Sequence, residues 1–197
     1  MYKHLLINMS KLRLSICSCM YKYLLIIITN IKLDILKIGG YNMEKTIDQL
    51  ILDLKDDDEF VREEAKAMIE LKGDEAIEPL IVALSNRSKD IKMAAASILG
   101  MKKTEEAIDA LVKTLNDPNK LVRKEASTAL TQMGSAAVGP VKEVLKSPDW
   151  RVRGAAVWIL GSLKDQSVIP DIEGLVDDES AFVRSGVKFA LEELNNL

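Results

Sequence analysis

The chain has 197 residues, with 30 acids against 27 bases for a net charge of −3, and is 48% apolar with only 5% aromatic residues. That balance fits a soluble protein with a buried core, and it excludes the strongly positive field that nucleic-acid binding draws on. The average joins two unlike parts, because residues 1–42 carry six bases and one acid whereas residues 43–197 carry 21 bases and 29 acids.

Sixteen of the first 42 residues are Ile or Leu, but the longest uncharged apolar run, Tyr23 to Ile31, is bounded by Lys22 and Lys32. It falls far short of the roughly 20 residues a spanning helix needs. No small-residue cleavage site follows it. Ile16 stands where a lipoprotein site would place a small residue before Cys17, and Cys17-Ser18-Cys19 lacks the spacing of a metal site. Ile, Leu, Lys, Asn and Tyr dominate translated AT-rich DNA, and Gly39-Gly40 can be encoded by a ribosome-binding sequence just before Met43. The expected natural start is therefore Met43, with residues 1–42 a mis-called extension. If expressed, they would form a weak apolar and basic membrane-surface anchor.

The remainder is periodic. Val-Arg or its equivalent recurs at Val61-Arg62, Ile91-Lys92, Val122-Arg123, Val152-Arg153 and Val183-Arg184, at steps of 30, 31, 30 and 31 residues. A period in this range marks a stacked repeat protein. Five units are expected, at about 46–74, 75–104, 105–135, 136–166 and 167–197. In each unit a first helix carries a trio of apolar residues on one face, beginning with Ile47, Leu50 and Leu54 and ending with Ile169, Ile172 and Val176. The second helix starts after Asp58, Ser88, Asn119, Asp149 or Ser180, all residue types that cap a helix N-terminus. Its buried stripe is Val61, Ala65, Met68 and Ile69 in the first unit, and Val152, Ala156, Ile159 and Leu160 in the fourth. Gly73, Gly100, Gly134 and Gly161 are expected to turn the chain at the ends of these helices. Pro79, Pro140 and Pro170 suit the first turns of the next.

Six residues before each Arg or Lys of the Val-Arg pair stand Asp56, Asn86, Asp117, Ser147 and Asp178. An acid in the turn and a base in the helix predict a ladder of charge-assisted hydrogen bonds across the units. The full pairs are Asp56 with Arg62, Asp117 with Arg123 and Asp178 with Arg184, so the ladder is expected to weaken at the second and fourth units.

The segments VREEAKAMIELKGDEAIEPL, VRKEASTALTQMGSAAVGPV and VRGAAVWILGSLKDQSVIPDI resemble short HEAT-like repeats of the phycobilisome-lyase type, over residues 46–197. The resemblance implies an all-α fold, an α-α superhelix or HEAT-like solenoid with second helices lining its concave side. Deoxyhypusine hydroxylase, a HEAT-like enzyme, builds an iron site from His-Glu pairs, but the repeat region here has no His, Cys or Tyr. No catalytic residue, metal ligand or cofactor is predicted. Asp56-Asp57-Asp58-Glu59 lacks the alternating ligands and turn glycine of a calcium loop and coincides with a helix cap.

Charge and aromatic placement locate the expected site. Residues 75–166 carry fourteen bases and eleven acids between two acidic ends, so Lys92, Arg123, Lys124 and Arg153 mark a mildly basic centre. HEAT-like DNA-repair glycosylases grip DNA with a far stronger field, which disfavours nucleic acid here. Four of the five aromatics of the repeat region, Trp150, Trp158, Phe182 and Phe189, lie in its last two units. At 100° per residue both Trp residues point away from the buried stripe. Phe189 takes the place of Trp158 one unit later, so stacking is expected to bring the two together. Such aromatics serve equally as a binding hot spot or as packing between units. The expected function is a non-catalytic, cytoplasmic scaffold binding a protein or peptide through Trp150, Trp158, Phe182, Phe189, Arg123, Lys124 and Arg153. The alternative, implied by the resemblance, is an accessory subunit of a chromophore lyase acting on a partner protein.

Overall fold

The computed structural model describes residues 45–195, of which residues 46–195 belong to one compact unit. The expectations for residues 1–42 lie outside the described residues. Among the described residues there are ten α-helices and no strand. They pair as α1 (Ile47–Asp53) with α2 (Glu59–Leu71), α3 (Ile77–Ala83) with α4 (Lys89–Lys102), α5 (Ile108–Thr114) with α6 (Lys120–Gln132), α7 (Val138–Glu143) with α8 (Trp150–Leu163), and α9 (Ile169–Glu173) with α10 (Ala181–Asn195). This is the five-unit α-solenoid that the period implies. No helix of the described residues is long and apolar enough to cross a membrane.

The first helices are short because each needs only a turn or two to present its apolar face. Leu50, Leu80, Leu111, Val141 and Ile172 are all fully buried. They meet the second-helix stripe, where Ala65, Ala95, Ala126 and Ala156 are also sealed. Full burial of a Leu or Ile side chain is worth about 1.5–3 kcal/mol, so these rows dominate the cohesion of the stack. Val176 departs from the expected pattern. Helix α9 ends at Glu173, and Val176 lies in the turn beyond it, 49% exposed.

The boundary before each second helix is built by side chains. Asp58, Ser88, Asn119 and Asp149 accept hydrogen bonds from backbone N–H groups of the first helical turn. Two residues earlier a second set acts on the turn itself. Asp56 Oδ1, Asn86 Oδ1, Asp117 Oδ1, Ser147 Oγ and Asp178 Oδ1 each accept from the backbone N–H two residues on. Asp, Asn and Ser all make this turn, which explains why the position varies among these three.

The ladder corrects the expected pairing. Arg62, Arg123, Arg153 and Arg184 each point Nη1 at two successive carbonyls of their own unit's turn, at 2.6–3.1 Å, rather than at that turn's carboxylate. The ionic rungs run to the following unit. Lys92 pairs with Asp117, and Arg153 reaches Asp178 at 2.7 and 2.9 Å and Glu179 at 3.1 Å. The rungs therefore start from the second and fourth units, where weakness was expected. For Arg62 and Arg123 the equivalent positions in the next unit are Asn86 and Ser147, and neither can supply a carboxylate.

Two of the four glycines are likewise reassigned. Gly73 and Gly134, with φ of 64° and 68°, take left-handed conformations just after α2 and α6, as a chain turn requires. Gly100 and Gly161 are buried inside α4 and α8, and serve close approach instead. A Cβ on Gly100 would lie 2.7 Å from Ala129 Cα, and one on Gly161 would lie 2.7 Å from Ala190 Cβ. The helices α4 and α8 turn instead through Lys103 and Lys164, which adopt left-handed φ of 52° and 56°.

These features alternate together, so the true structural period is two units. Helices α4 and α6 pack closely, as do α8 and α10, and each such seam has a helix glycine and an ionic rung. Helices α2 and α4 stand apart, and α6 and α8 meet more sparsely. At these open seams the glycine position holds Glu70 or Thr131 and the rung is absent.

A candidate binding groove between the second helices

A groove of about 530 Å³ lies at the open seam between α6 and α8. Lys120, Arg123, Lys124 and Ser127 form the α6 side, and Trp150, Arg151, Gly154, Ala155 and Trp158 the α8 side, with Phe182 of α10 at the margin. Its position follows from sequence. Residues spaced by three and four on α8, such as Trp150, Gly154 and Trp158, share one face, while the stripe from Val152 faces inward.

The aromatic wall is braced from behind. Phe182 sits over Gly154, where an added Cβ would come within 2.7 Å of the ring. The Phe182 and Trp150 rings meet edge to face, with centroids 5.5 Å apart and an interplanar angle of 68°. The close ring pair among the described residues is thus Trp150 with Phe182, rather than the expected Trp158 with Phe189. Both Trp side chains nonetheless keep about half their surface open, 45% for Trp150 and 46% for Trp158.

The cations are positioned as firmly. Asp149, the cap of α8, binds the Arg151 guanidinium through both carboxylate oxygens at 2.5–3.0 Å. That hydrogen bonding, with the backbone N–H of Arg151 and a smaller pull from Arg123, lowers the Asp149 carboxyl to about 2 and raises Arg151. Arg123 is anchored through Nη1 to the carbonyls of Asp117 and Pro118 and makes no ion pair among the described residues. Lys120 and Lys124 add two exposed ammonium groups on α6. An apolar, aromatic wall faces a cationic one, which suits a ligand carrying both apolar surface and negative charge.

Of the residues expected at the site, Arg123, Lys124, Trp150, Trp158 and Phe182 come together here. Arg153 does not join them. It is 7% exposed and turned toward Asp178, whose carboxylate raises its pKa and is itself lowered in return. Phe189 is exposed on α10 outside the groove lining. Sequence reasoning missed Lys120, Arg151 and Gly154. Their spacing from Trp150 and Lys124 along two helix faces was the available signal, but only the seam's openness shows that those faces confront each other.

The fold defines a class of protein, a helical repeat solenoid, here with a groove between two successive second helices. HEAT repeats match residues 47–124, 77–141 and 108–192, and the chain belongs to the HEAT-repeat family. It is 36% identical over 80 residues to the phycocyanobilin lyase subunit alpha of Picosynechococcus sp. (strain ATCC 27264 / PCC 7002 / PR-6), a match covering 36% of this chain and 30% of that protein's length. Its structure is similar to that of the complex of CpcE and CpcF of phycocyanin lyase from Nostoc sp. PCC7120, with a TM-score of 0.50, 20% identity, and coverage of 78% of this chain and 66% of that one. At that identity the likeness concerns the fold. An archaeal HEAT-like repeats protein from Thermococcus onnurineus NA1 aligns with a TM-score of 0.48 at 18% identity, over 84% of this chain and 76% of that one.

Proposed function

We propose that the chain is an accessory, partner-binding subunit of a bilin-lyase-type assembly, in which the α6–α8 groove holds an anionic and largely apolar ligand. The observation that carries this reading is the placement of Trp150, Trp158 and Phe182 beside Arg123, Lys124 and Arg151 in one groove of about 530 Å³. A bilin presents flat conjugated pyrrole rings and propionate carboxylates. Indole and phenyl faces suit the first, and guanidinium and ammonium groups suit the second. The sequence similarity to a phycocyanobilin lyase subunit supports this choice of ligand over a generic scaffold role. The bond-forming step is assigned to the assembly, with this chain holding and presenting. A second reading, an acidic apolar peptide of a partner protein in the same groove, is favoured by the same charge pattern.

The two readings separate by spectroscopy. Phycocyanobilin titrated into the protein is expected to change its visible absorption, and Trp158→Ala or Arg123→Glu is expected to weaken binding about tenfold, a change of about 1.4 kcal/mol. An unchanged spectrum, with an acidic Leu/Glu peptide bound and released by the same variants, would establish the peptide reading instead. Binding of neither would remove the groove from function.

A further inference from the structure

The other open seam carries a second groove of opposite character. Between α2 and α4 lies a trough of about 940 Å³. Its floor is apolar, made by Ala67, Met93, Ala94, Ile98 and Met101, with Met101 55% exposed. Its rim holds six acids and three bases. One of the bases, Lys66, is already paired with Glu63 at 2.6 Å. Of the acids, Asp57, Glu70, Asp90 and Glu125 have no ion pair among the described residues.

We propose that this groove docks a basic, amphipathic helical segment of a partner protein. Charge complementarity selects the occupant, since unpaired carboxylates on both sides of the seam favour Lys and Arg and repel acidic peptides and anionic lipid surfaces. The floor selects an apolar face. Methionine side chains are long, unbranched and polarisable, so Met93 and Met101 can adjust to Leu or Ile anchors spaced by three and four residues. The width of the seam has a definite cause. Glu70 occupies the position that is Gly100 or Gly161 at the closed seams, and Asn86 gives Arg62 no carboxylate to pull α2 against α4. The groove is thus a consequence of the sequence at this seam, and its lining shares no residue with the groove of the bilin reading.

The test uses the full chain and labelled helical peptides of about 15 residues, long enough to form a helix when bound. One has a Leu/Lys amphipathic pattern, and the other carries Ser in place of every Leu. Fluorescence anisotropy is expected to show binding of the Leu/Lys peptide. The triple substitution Glu70→Gln, Asp90→Asn, Glu125→Gln is expected to weaken it about tenfold, and Met101→Gln about threefold. A control triple with the same change of net charge, Glu173→Gln, Asp177→Asn, Glu192→Gln, is expected to leave it within about twofold, since interactions beyond a Debye length are screened. Circular dichroism verifies that each variant keeps its helices. Equal loss in the two triples, equal affinity for the Ser/Lys peptide, or absence of Leu/Lys binding would each overturn the proposal.

Discussion

The seams between α4 and α6 and between α8 and α10 are closed, while those between α2 and α4 and between α6 and α8 are open, although all four join units built on one plan. Two positions per seam change with it. At closed seams a helix glycine lets the neighbouring backbone approach, and a base of one unit meets the carboxylate of the next turn. At open seams Glu70 or Thr131 replaces the glycine, and Asn86 or Ser147 replaces the acid. Both grooves occupy open seams, one acidic over methionines and one cationic beside tryptophans. A solenoid whose units interact mainly with neighbours can vary one seam without disturbing the next, so grooves and close packing alternate along the stack.

The sharpest way to break the contrast is to fill a closed seam. Gly100→Val would drive a branched side chain into the Ala129 backbone, where even a Cβ would stand at 2.7 Å. A loss of about 3 kcal/mol is expected by urea denaturation. Thr131→Val, at the matching position of an open seam, is expected to cost no more than about 0.5 kcal/mol. Similar losses at both positions would show that the seams do not differ.

The next largest effect removes a rung. Arg153→Ala strands Asp178 in a site where its side chain is 5% exposed. The pair is intermediate between a surface and a deeply buried one, so a loss of about 2 kcal/mol is expected. The rung also has an acid signature. Asp178 is held below the usual carboxylate range by Arg153, and Asp149 is lowered to about 2 by Arg151. A group whose pKa is depressed by folding stabilises the protein above its unfolded value, near 4, and that contribution disappears as pH falls through the folded value. Stability is therefore expected to decline from about pH 4 to about 2, and to decline less steeply in Asp178→Asn.

Smaller again is the effect at the turns. Lys103 and Lys164 hold left-handed conformations at the ends of α4 and α8. A residue with a Cβ is disfavoured there by about 1–2 kcal/mol, whereas glycine also loses more chain entropy on folding. Lys164→Gly is expected to raise stability by somewhat under about 1 kcal/mol, measured by thermal unfolding. A decrease would show that the lysine side chain contributes something beyond its backbone geometry.

The fold was legible because period, caps and apolar trios all pointed to the same five pairs of helices. The buried rows from Leu50 to Ile172 follow from spacing alone. The lining of the candidate groove was legible in part. Arg123, Lys124, Trp150, Trp158 and Phe182 share a groove because helical periodicity sets their faces. Arg153 was misplaced because its sequence position equals that of Arg123, and what separates them is the next unit, Asp178 for one and Ser147 for the other. Phe189 was paired with Trp158 by position in the repeat, but across that same α8–α10 seam the ring contact is made by Trp150 and Phe182. The acidic groove escaped notice because its residues come from three units whose separations no single-unit pattern records. The alternating steps of 30 and 31 were its trace in the sequence.

Ser147→Asp adds to an open seam one of the two features that closed seams share, and it has the smallest expected effect on stability. The aspartate can keep the turn, since Ser147 Oγ accepts from the Asp149 N–H at 3.2 Å, a bond that Asp117 and Asp178 make in their own units. It also places a carboxylate where Arg123 can reach it, as Asp117 meets Lys92 and Asp178 meets Arg153. An exposed pair of this kind adds no more than about 0.5 kcal/mol, because Arg123 is partly solvated and Thr131 still holds the helices apart. Its effect on the groove is larger than its effect on stability. Arg123 would be neutralised and drawn across the seam, so the α6–α8 groove is expected to lose affinity for anionic ligands by about tenfold. Asn86→Asp makes the same change at the α2–α4 seam and is expected to leave anion binding intact. If both variants bind anions as the parent does, Arg123 is not the charge that the groove uses, and Lys120, Lys124 and Arg151 must carry that role.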